Sequence, residues 1–172
     1  MVAYIPRLAD GQLQEKLERT GAVLVRGPKW CGKTSTCEQQ ARSALKMRDP
    51  DAYAANMEAA QIRPSLLLRG ERPRLIDEWQ VAPVLWDAVI NEVDAAGGQP
   101  GQFVLTGSAT PFGPHDDTKP KHTGTGRIAR IDMDTMTLEE SGVSSNEVSL
   151  SALFGGQAQV EGASNISVEQ YA

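Results

Sequence analysis

The chain has 172 residues, a length typical of one globular domain, and its 40% hydrophobic and 23% charged residues exclude a wholly disordered protein. Its 17 basic and 22 acidic residues give a net charge of −5, so binding to nucleic acid is not indicated as its main task. Its two cysteines exclude a disulfide framework, and no apolar run approaches the ~18 residues of a membrane span. Because the first residues also lack the pattern of a secretory signal, we expect a cytoplasmic protein with no membrane segment.

Helical and strand-like segments alternate in the first half of the chain. Residues 7–20 have leucines at amphipathic spacing, and residues 22–26 (AVLVR) read as a buried strand. Residues 33–47 favour a helix, with or without a second strand in the segment SALKM at its end. Residues 51–60, which are rich in alanine, predict a further helix, and the segment at 64–68 predicts a short packed turn that begins with proline.

The second half continues this alternation. Short strands are predicted at 74–76, 103–105 and 127–133, and a helix at 83–93. Two weak helices are predicted near 138–141 and 150–154. Strands that alternate with helices predict an α/β domain with a mostly parallel central sheet of about five strands, covered by helices on both faces.

Two segments have no predicted element. Residues 107–126 form a stretch of about twenty residues, and a loop of that length in a compact domain is usually functional. Residues 155–172 contain neither lysine nor arginine, and we expect a disordered polar tail or a shortened linker. The predicted organisation is therefore one domain over residues 1–154, followed by this tail.

A complete phosphate-binding motif follows the first strand. Residues Gly27–Thr34 (GPKWCGKT) match G-x-x-x-x-G-K-[ST] between a predicted strand and a predicted helix. The two glycines let successive backbone N–H groups converge on a phosphate, Lys33 would reach the β- and γ-phosphates, and the hydroxyl of Thr34 would hold Mg²⁺. The predicted nucleotide-binding residues are Gly27, Pro28, Lys29, Trp30, Cys31, Gly32, Lys33, Thr34 and Ser35.

An acidic pair ends the strand at 74–76. In a parallel sheet this end faces the ligand crevice, so Asp77 would coordinate Mg²⁺ together with Thr34, and Glu78 would activate the attacking water as a general base. The alternative is an acidic strand end that meets solvent and has no catalytic role.

Three further residues are candidates for catalysis. Thr106 or Ser108, after the strand at 103–105, could bind the γ-phosphate or the water, although Thr-Gly-Ser is also an ordinary turn sequence. Arg127 would stabilise charge in the transition state, either in its own chain or from a neighbouring subunit, and a surface salt bridge is its alternative. Lys33, Glu78, Ser108 and Arg127 are the predicted catalytic residues.

The aromatic and histidine residues have less specific interpretations. Trp30 could contact a nucleotide base or a partner, whereas Trp79 and Trp86 favour a core or an interface. His115 and His122 lie in the long loop at no standard metal spacing, and solvated side chains are the better interpretation.

Four blocks in this order carry a family resemblance: GPKWCGKTS, LIDEWQVAPVLWDAV, FVLTGSATP and HTGTGRIARIDMDTMTLEES. They resemble the AAA-type P-loop ATPase module, of the AAA+ superfamily, in prokaryotic proteins that usually carry a further C-terminal domain of unknown function. The resemblance covers residues Tyr4 to Phe154 and implies a P-loop NTPase fold with an ATP–Mg²⁺ site. It makes Gly27–Thr34 the Walker A motif, Leu75–Glu78 the Walker B motif, Thr106–Ser108 the sensor region and Arg127 an arginine sensor or finger.

Such proteins are typically more than twice as long, so the resemblance implies either a missing C-terminal domain or a short gene product. The leading hypothesis is an ATPase that hydrolyses ATP to ADP and phosphate in order to switch an unknown protein partner or an appended domain. One alternative is a module that switches by nucleotide occupancy, with negligible turnover alone, and another is a small-molecule kinase. The sequence leaves open whether the protein forms a homo-oligomer.

Overall fold

The computed structural model describes residues 3–108, 123–144 and 150–156. These residues belong to two compact units. The larger unit, Leu8–Thr135, contains the central sheet and every described residue predicted for the nucleotide site. The smaller unit comprises the described residues up to Arg7 and those from Met136 onward.

The larger unit is built on one five-stranded sheet in which every pairing is parallel. The strands lie in the order β2-β3-β4-β1-β5, so β1 is flanked by β4 and β5. The predicted α/β fold with about five parallel strands is confirmed. The strands are β1 Ala22–Gly27, β2 Ser43–Lys46, β3 Arg74–Asp77, β4 Phe103–Ser108 and β5 Ile128–Asp132.

The larger unit has four described helices, of which the first precedes β1 and the other three connect successive strands from β1 to β4; a fifth helix belongs to the smaller unit. The two interpretations of residues 33–47 are resolved, because a helix ends at Gln40 and β2 follows it. The turn predicted at 64–68 is a 3-10 turn at Pro64–Leu66, and a second 3-10 turn spans Trp79–Val81. The helices are α1 Leu8–Leu17, α2 Lys33–Gln40, α3 Tyr53–Ile62, α4 Val84–Ala95 and α5 Leu150–Phe154.

Alternate residues of β1, β3, β4 and β5 enter two cores on opposite faces of the sheet. In β1, Val23 and Val25 pack with residues of α1 and α2, whereas Ala22 and Leu24 pack with residues of α3 and α4. Of the two interpretations of Trp79 and Trp86, a core or an interface, the structure supports the core, since both are 3% exposed and their ring centroids are 4.8 Å apart. Cover on both faces explains why the strands read as apolar runs without polar alternation.

In the smaller unit, the helix predicted near residues 138–141 is wrong. Thr137 and Glu140 form a capping box, in which the Glu140 carboxylate accepts from the Thr137 N–H at 2.7 Å and the Thr137 hydroxyl accepts from the Glu140 N–H at 3.1 Å. Gly142 follows with a φ of 73°, so the chain leaves the helical conformation after one turn.

Several predicted segments lie outside the described residues. They are most of the long loop, residues 109–122, which contains both histidines, and residues 157–172 of the tail. Among the helices that the structure describes, none is long and apolar enough to cross a membrane.

Candidate nucleotide-binding site

The phosphate loop connects the carboxyl end of β1 to the first residue of α2, as the motif predicts. Gly32 has a φ of 96°, a conformation that favours glycine, and the helix begins at the next residue. Gly27 is required for a different reason, because a Cβ there would overlap the carbonyl oxygen of Met133, just beyond β5. The two glycines therefore allow a left-handed turn at one end of the loop and a close backbone contact at the other.

Lys33 extends back into the curve of this loop and is only 8% exposed. Its ammonium group donates to the carbonyl oxygens of Gly27 at 3.0 Å and Pro28 at 2.7 Å. A buried ammonium group requires such acceptors, since desolvation of an unpaired charge is costly. The contacts keep the positive charge of Lys33 at the base of the phosphate loop.

Asp77 connects the phosphate loop to the neighbouring strands. Its Oδ1 accepts a hydrogen bond from Thr34 Oγ1 at 2.8 Å and another from Thr106 Oγ1 at 2.5 Å. Thr106 is fully buried in β4, and its hydroxyl also accepts the backbone N–H of Glu78 at 3.0 Å. The predicted residues of three separate motifs are thus brought together at the carboxyl edge of the sheet.

Glu78 has a left-handed backbone conformation, with a φ of 58° and a ψ of 47°. This conformation is uncommon for a residue other than glycine, and here the hydrogen bond to Thr106 supports it. Its Oε2 accepts a hydrogen bond from Gln80 Nε2 at 2.6 Å and lies 3.6 Å from Arg48 Nε. Sequence reasoning missed Gln80 and Arg48; a firm assignment of β2 would have placed Arg48 at this edge.

A cavity of about 320 Å³ lies over the phosphate loop. The second half of the loop and Glu78 face this one space, and the residues that line it are Lys29, Trp30, Gly32, Lys33, Thr34, Ser35 and Glu78. Among the other loop residues, Gly27 and Pro28 contribute the carbonyls that bind Lys33. Cys31 is 4% exposed, and its thiol donates a hydrogen bond to the Met133 carbonyl oxygen at 3.5 Å. Its side chain therefore packs in the core below the loop.

The indole of Trp30 is 90% exposed at the rim of this cavity. Its φ is 70°, and the ammonium group of Lys29 lies 5.6 Å from the ring centroid. A flexible cation–π contact of this length on an exposed ring is weak, so the ring remains open to a ligand or a partner.

Arg127 lies at the amino ends of the strands, whereas the phosphate loop lies at their carboxyl ends. It directly precedes β5, its carbonyl accepts the N–H of Ala22 at the start of β1, and its guanidinium pairs with Asp94 at 2.9 Å. This hydrogen bond raises the pKa of Arg127. The length of β1, roughly 16 Å at 3.3 Å per residue, separates Arg127 from the phosphate loop. The structure therefore does not bring this predicted catalytic residue to the cavity of its own chain.

Two further polar residues lie in β4 and β5, Ser108 and Arg130. Ser108 ends β4 directly beside Gly27, at the edge where the prediction requires it, but its side chain lies outside the described part of the structure. Arg130 is in the middle of β5 and donates to the carbonyl of Thr123 at 3.0 Å.

The side-chain oxygens of Thr34 and Asp77 are suitable ligands for Mg²⁺. Mg²⁺ takes oxygen ligands and is commonly bound by one or two carboxylates beside substrate phosphates. A hydroxyl and a carboxylate oxygen lie in contact here, next to a loop with a left-handed glycine at the start of a helix. Thr34 and Asp77 would hold the ion, whose charge would neutralise that of the phosphates.

Comparisons with known proteins relate this chain to a domain family and to one solved structure. A family model described as an AAA domain matches residues 19–142. Among solved structures, the chain is similar to a DNA replication initiation factor, with 17% sequence identity and a TM-score of 0.46 over 76% of this chain. The match covers 47% of the other chain, so this chain spans about half the length of that protein.

No match was found among the curated proteins. The family model covers most of the chain, including the phosphate loop, the acidic pair after β3 and the end of β4. The chain therefore belongs to the AAA domain family and is a nucleotide-binding module of the ATPase type.

Proposed function

We propose that this chain binds ATP with Mg²⁺ and hydrolyses ATP to ADP and phosphate, and that the change of bound nucleotide switches a protein partner or a further domain. The direct contact between Thr34 and Asp77, with Glu78 lining the same cavity as Lys33, carries this proposal. In this proposal Thr34 and Asp77 bind the metal, Lys33 binds phosphate, and Glu78 is the base, all at the carboxyl ends of the strands.

Each loop residue has a distinct part in binding. The backbone N–H groups at the start of α2 would bind phosphate oxygens, supported by the positive end of the helix dipole. Lys33 would exchange its contacts with the carbonyls of Gly27 and Pro28 for phosphate oxygens. Because an ammonium group binds a charged phosphate oxygen more strongly than an uncharged carbonyl oxygen, this exchange favours the triphosphate.

The hydrolytic step would use Glu78 as the base. Its carboxylate takes a proton from a water molecule while the water oxygen forms a bond to the γ-phosphorus. The bond between the γ-phosphorus and the β–γ bridging oxygen breaks, and ADP leaves with the electron pair. Thr106 supports this step indirectly, because it anchors the backbone of Glu78 and the carboxylate of Asp77.

The position of Arg127 favours a second candidate, a switch by nucleotide occupancy with negligible turnover alone. Arginine fingers contribute large rate factors in related phosphoryl transfer, and Arg127 lies far from the cavity of its own chain. In that case binding of ATP would change the protein, and hydrolysis would wait for a partner or a second subunit.

A thermal melt with and without ATP–Mg²⁺, followed by phosphate release from the same sample, tests both candidates. Ligand that binds only the folded state adds about 2.7 kcal/mol of stability at a hundredfold excess over Kd. A rise in Tm with phosphate release supports the ATPase, and a rise without release supports the occupancy switch. No rise in Tm would overturn both.

Three variants make the experiment specific. Lys33→Ala should remove the nucleotide-dependent rise in Tm, whereas Lys16→Ala, a lysine of α1 that does not line the cavity, should retain it. Glu78→Gln should retain the rise in Tm but release phosphate much more slowly. Equal release by Glu78→Gln and the parent would contradict the role of Glu78 as a base.

A further inference from the structure

We propose that Gln80 is a positioning residue, which holds the carboxylate of Glu78 in the nucleotide cavity through the hydrogen bond from its Nε2. The hydrogen bond is 2.6 Å long and joins the side chains of two residues that are two positions apart in the chain. This inference rests on the proposed function, because it assigns the group that orients the proposed base.

The backbone of Glu78 does not fix its own carboxylate. The hydrogen bond from its N–H to Thr106 determines where the main chain lies, but the glutamate side chain still has three rotatable bonds. The side chain is 28% exposed, so packing restrains it only in part. A catalytic carboxylate needs a second contact that fixes its rotamer.

Gln80 is well placed to supply that contact because it is itself held firmly. It lies in the 3-10 turn Trp79–Val81, directly after the buried Trp79. Its Oε1 packs so closely against β4 that a Cβ at Gly107 would lie 2.8 Å from it. The amide is thus wedged against the sheet with its NH₂ group directed at Glu78.

The orientation of this amide has a cost. Oε1 of Gln80 is buried, and none of the described residues donates a hydrogen bond to it. A buried acceptor without a donor is unfavourable, whereas an apolar side chain of similar volume would carry no such penalty. The amide is therefore better explained by its donation to Glu78 than by a contribution to folding.

Arg48 makes a second and weaker contact with the same carboxylate oxygen. Its Nε lies 3.6 Å from Glu78 Oε2, and its side chain is 71% exposed. An exposed ion pair at this distance is largely screened by solvent. The inference therefore assigns the positioning role to Gln80, and Arg48 serves as a comparison.

A double-mutant cycle between Glu78→Gln and Gln80→Leu tests the inference. Leucine removes the donor while it keeps a similar volume. If Gln80 acts through Glu78, Gln80→Leu should lower kcat about ten- to a hundredfold in the parent and have almost no effect in the Glu78→Gln background. Equal effects of Gln80→Leu in both backgrounds would overturn the inference.

The affinity for ATP–Mg²⁺, measured over the same cycle, gives a readout that does not require turnover. Glu78→Gln should tighten binding, because it removes a negative charge beside the triphosphate. That gain should shrink in the Gln80→Leu background, where the carboxylate is no longer held in the cavity. Additive changes in affinity would contradict the inference, and absence of binding by the parent would instead contradict the proposed function.

Further variants separate the donor from the shape of the side chain. Gln80→Met has a similar length and shape but no hydrogen-bond donor and no charge, so it should resemble Gln80→Leu. Gln14→Leu is the matched control, because Gln14 Nε2 also donates to a glutamate, Glu18, at 3.4 Å on the exposed surface of α1. Arg48→Ala should lower kcat less than Gln80→Leu. Full activity of Gln80→Met would show that shape alone suffices and would overturn the inference.

Discussion

Thr34 Oγ1 donates a hydrogen bond of 2.8 Å to Asp77 Oδ1, so the first residues of α2 and the last residue of β3 are joined directly. The two residues are 43 positions apart in the chain, and the parallel order of β1, β4 and β3 places their motifs at one edge. Because strand order determines this meeting, the site depends on the whole sheet and not on the phosphate loop alone.

The carboxylate of Asp77 should determine the dependence of nucleotide binding on Mg²⁺. Asp77→Asn keeps an oxygen that can accept from Thr34 but removes the negative charge. The apparent Mg²⁺ affinity should fall by about ten- to a hundredfold or more, as measured by titrating Mg²⁺ against the ATP-induced rise in Tm. Asp51→Asn, at an exposed carboxylate, should leave the titration unchanged. An unaltered Mg²⁺ midpoint in Asp77→Asn would contradict the assigned metal ligand.

The hydroxyl of Thr106 should contribute to folding stability as well as to the site. Thr106→Val leaves the N–H of Glu78 without its acceptor and removes a donor to Asp77, in a fully buried position. The free energy of unfolding should fall by about 1–3 kcal/mol, as measured by urea denaturation.

Two other variants test this explanation. Thr106→Ser keeps both hydrogen bonds and loses one methyl group, so it should cost only about 1 kcal/mol. Thr125→Val, at an exposed threonine, should change stability little. A larger loss in Thr106→Ser than in Thr106→Val would mean that packing of the methyl group outweighs the hydrogen bonds.

Local patterns in the sequence predicted the elements and the motifs well. The apolar runs and their ends located four of the five strands and left β2 open, and the phosphate loop was identified because its pattern is contiguous. Arg127 shows the limit of such reasoning, since it was assigned from its distance along the chain. Its position at the amino end of β5 depends on where that strand pairs, which no local pattern determines. Arg48 was missed because β2 was not assigned, and Gln80 was missed because no local pattern determines which way its side chain turns, although it is only two residues beyond Glu78.

Gly27 should tolerate alanine poorly, although it does not have a left-handed backbone. A Cβ would overlap the carbonyl oxygen of Met133, and backbone atoms cannot move aside cheaply. Gly27→Ala should lower the free energy of unfolding by about 1–3 kcal/mol or more, as measured by chemical denaturation.

Gly11, in the same larger unit, is expected to behave in the opposite way. It lies within α1, and a Cβ there would have no atom within 4 Å. Gly11→Ala should therefore stabilise the protein by about 0.5–1 kcal/mol, because alanine favours a helix. Equal effects of the two substitutions would show that the contact between Gly27 and Met133 is not tight.

The thiol of Cys37 should make stability depend on alkaline pH. Burial, followed by the charge of Asp77, raises its pKa well above the ordinary value of 9.0. The folded thiol therefore keeps its proton while the unfolded thiol loses it above pH 9, so the unfolded state binds fewer protons and stability falls as pH rises. The slope from this group approaches about 1.4 kcal/mol per pH unit.

Denaturation curves of the parent and of Cys37→Ala between pH 8 and pH 10.5 or so measure this contribution. The difference in unfolding free energy between the two proteins should be constant below pH 9 and should change in favour of the variant at higher pH. Parallel pH profiles throughout the range would mean that the thiol ionises equally in both states.

Arg127, if it is a catalytic residue, should act on the cavity of another subunit. It pairs with Asp94 at the amino ends of the strands, so it lies far from the phosphate loop of its own chain. Arg127→Ala lacks the guanidinium but has an intact cavity, whereas Glu78→Gln lacks the base but keeps Arg127. Each variant alone should release phosphate slowly, and an equimolar mixture should recover activity at composite sites. The specific activity of the parent should also rise with protein concentration. Full activity of Arg127→Ala alone, independent of concentration, would show that Arg127 is only the surface partner of Asp94.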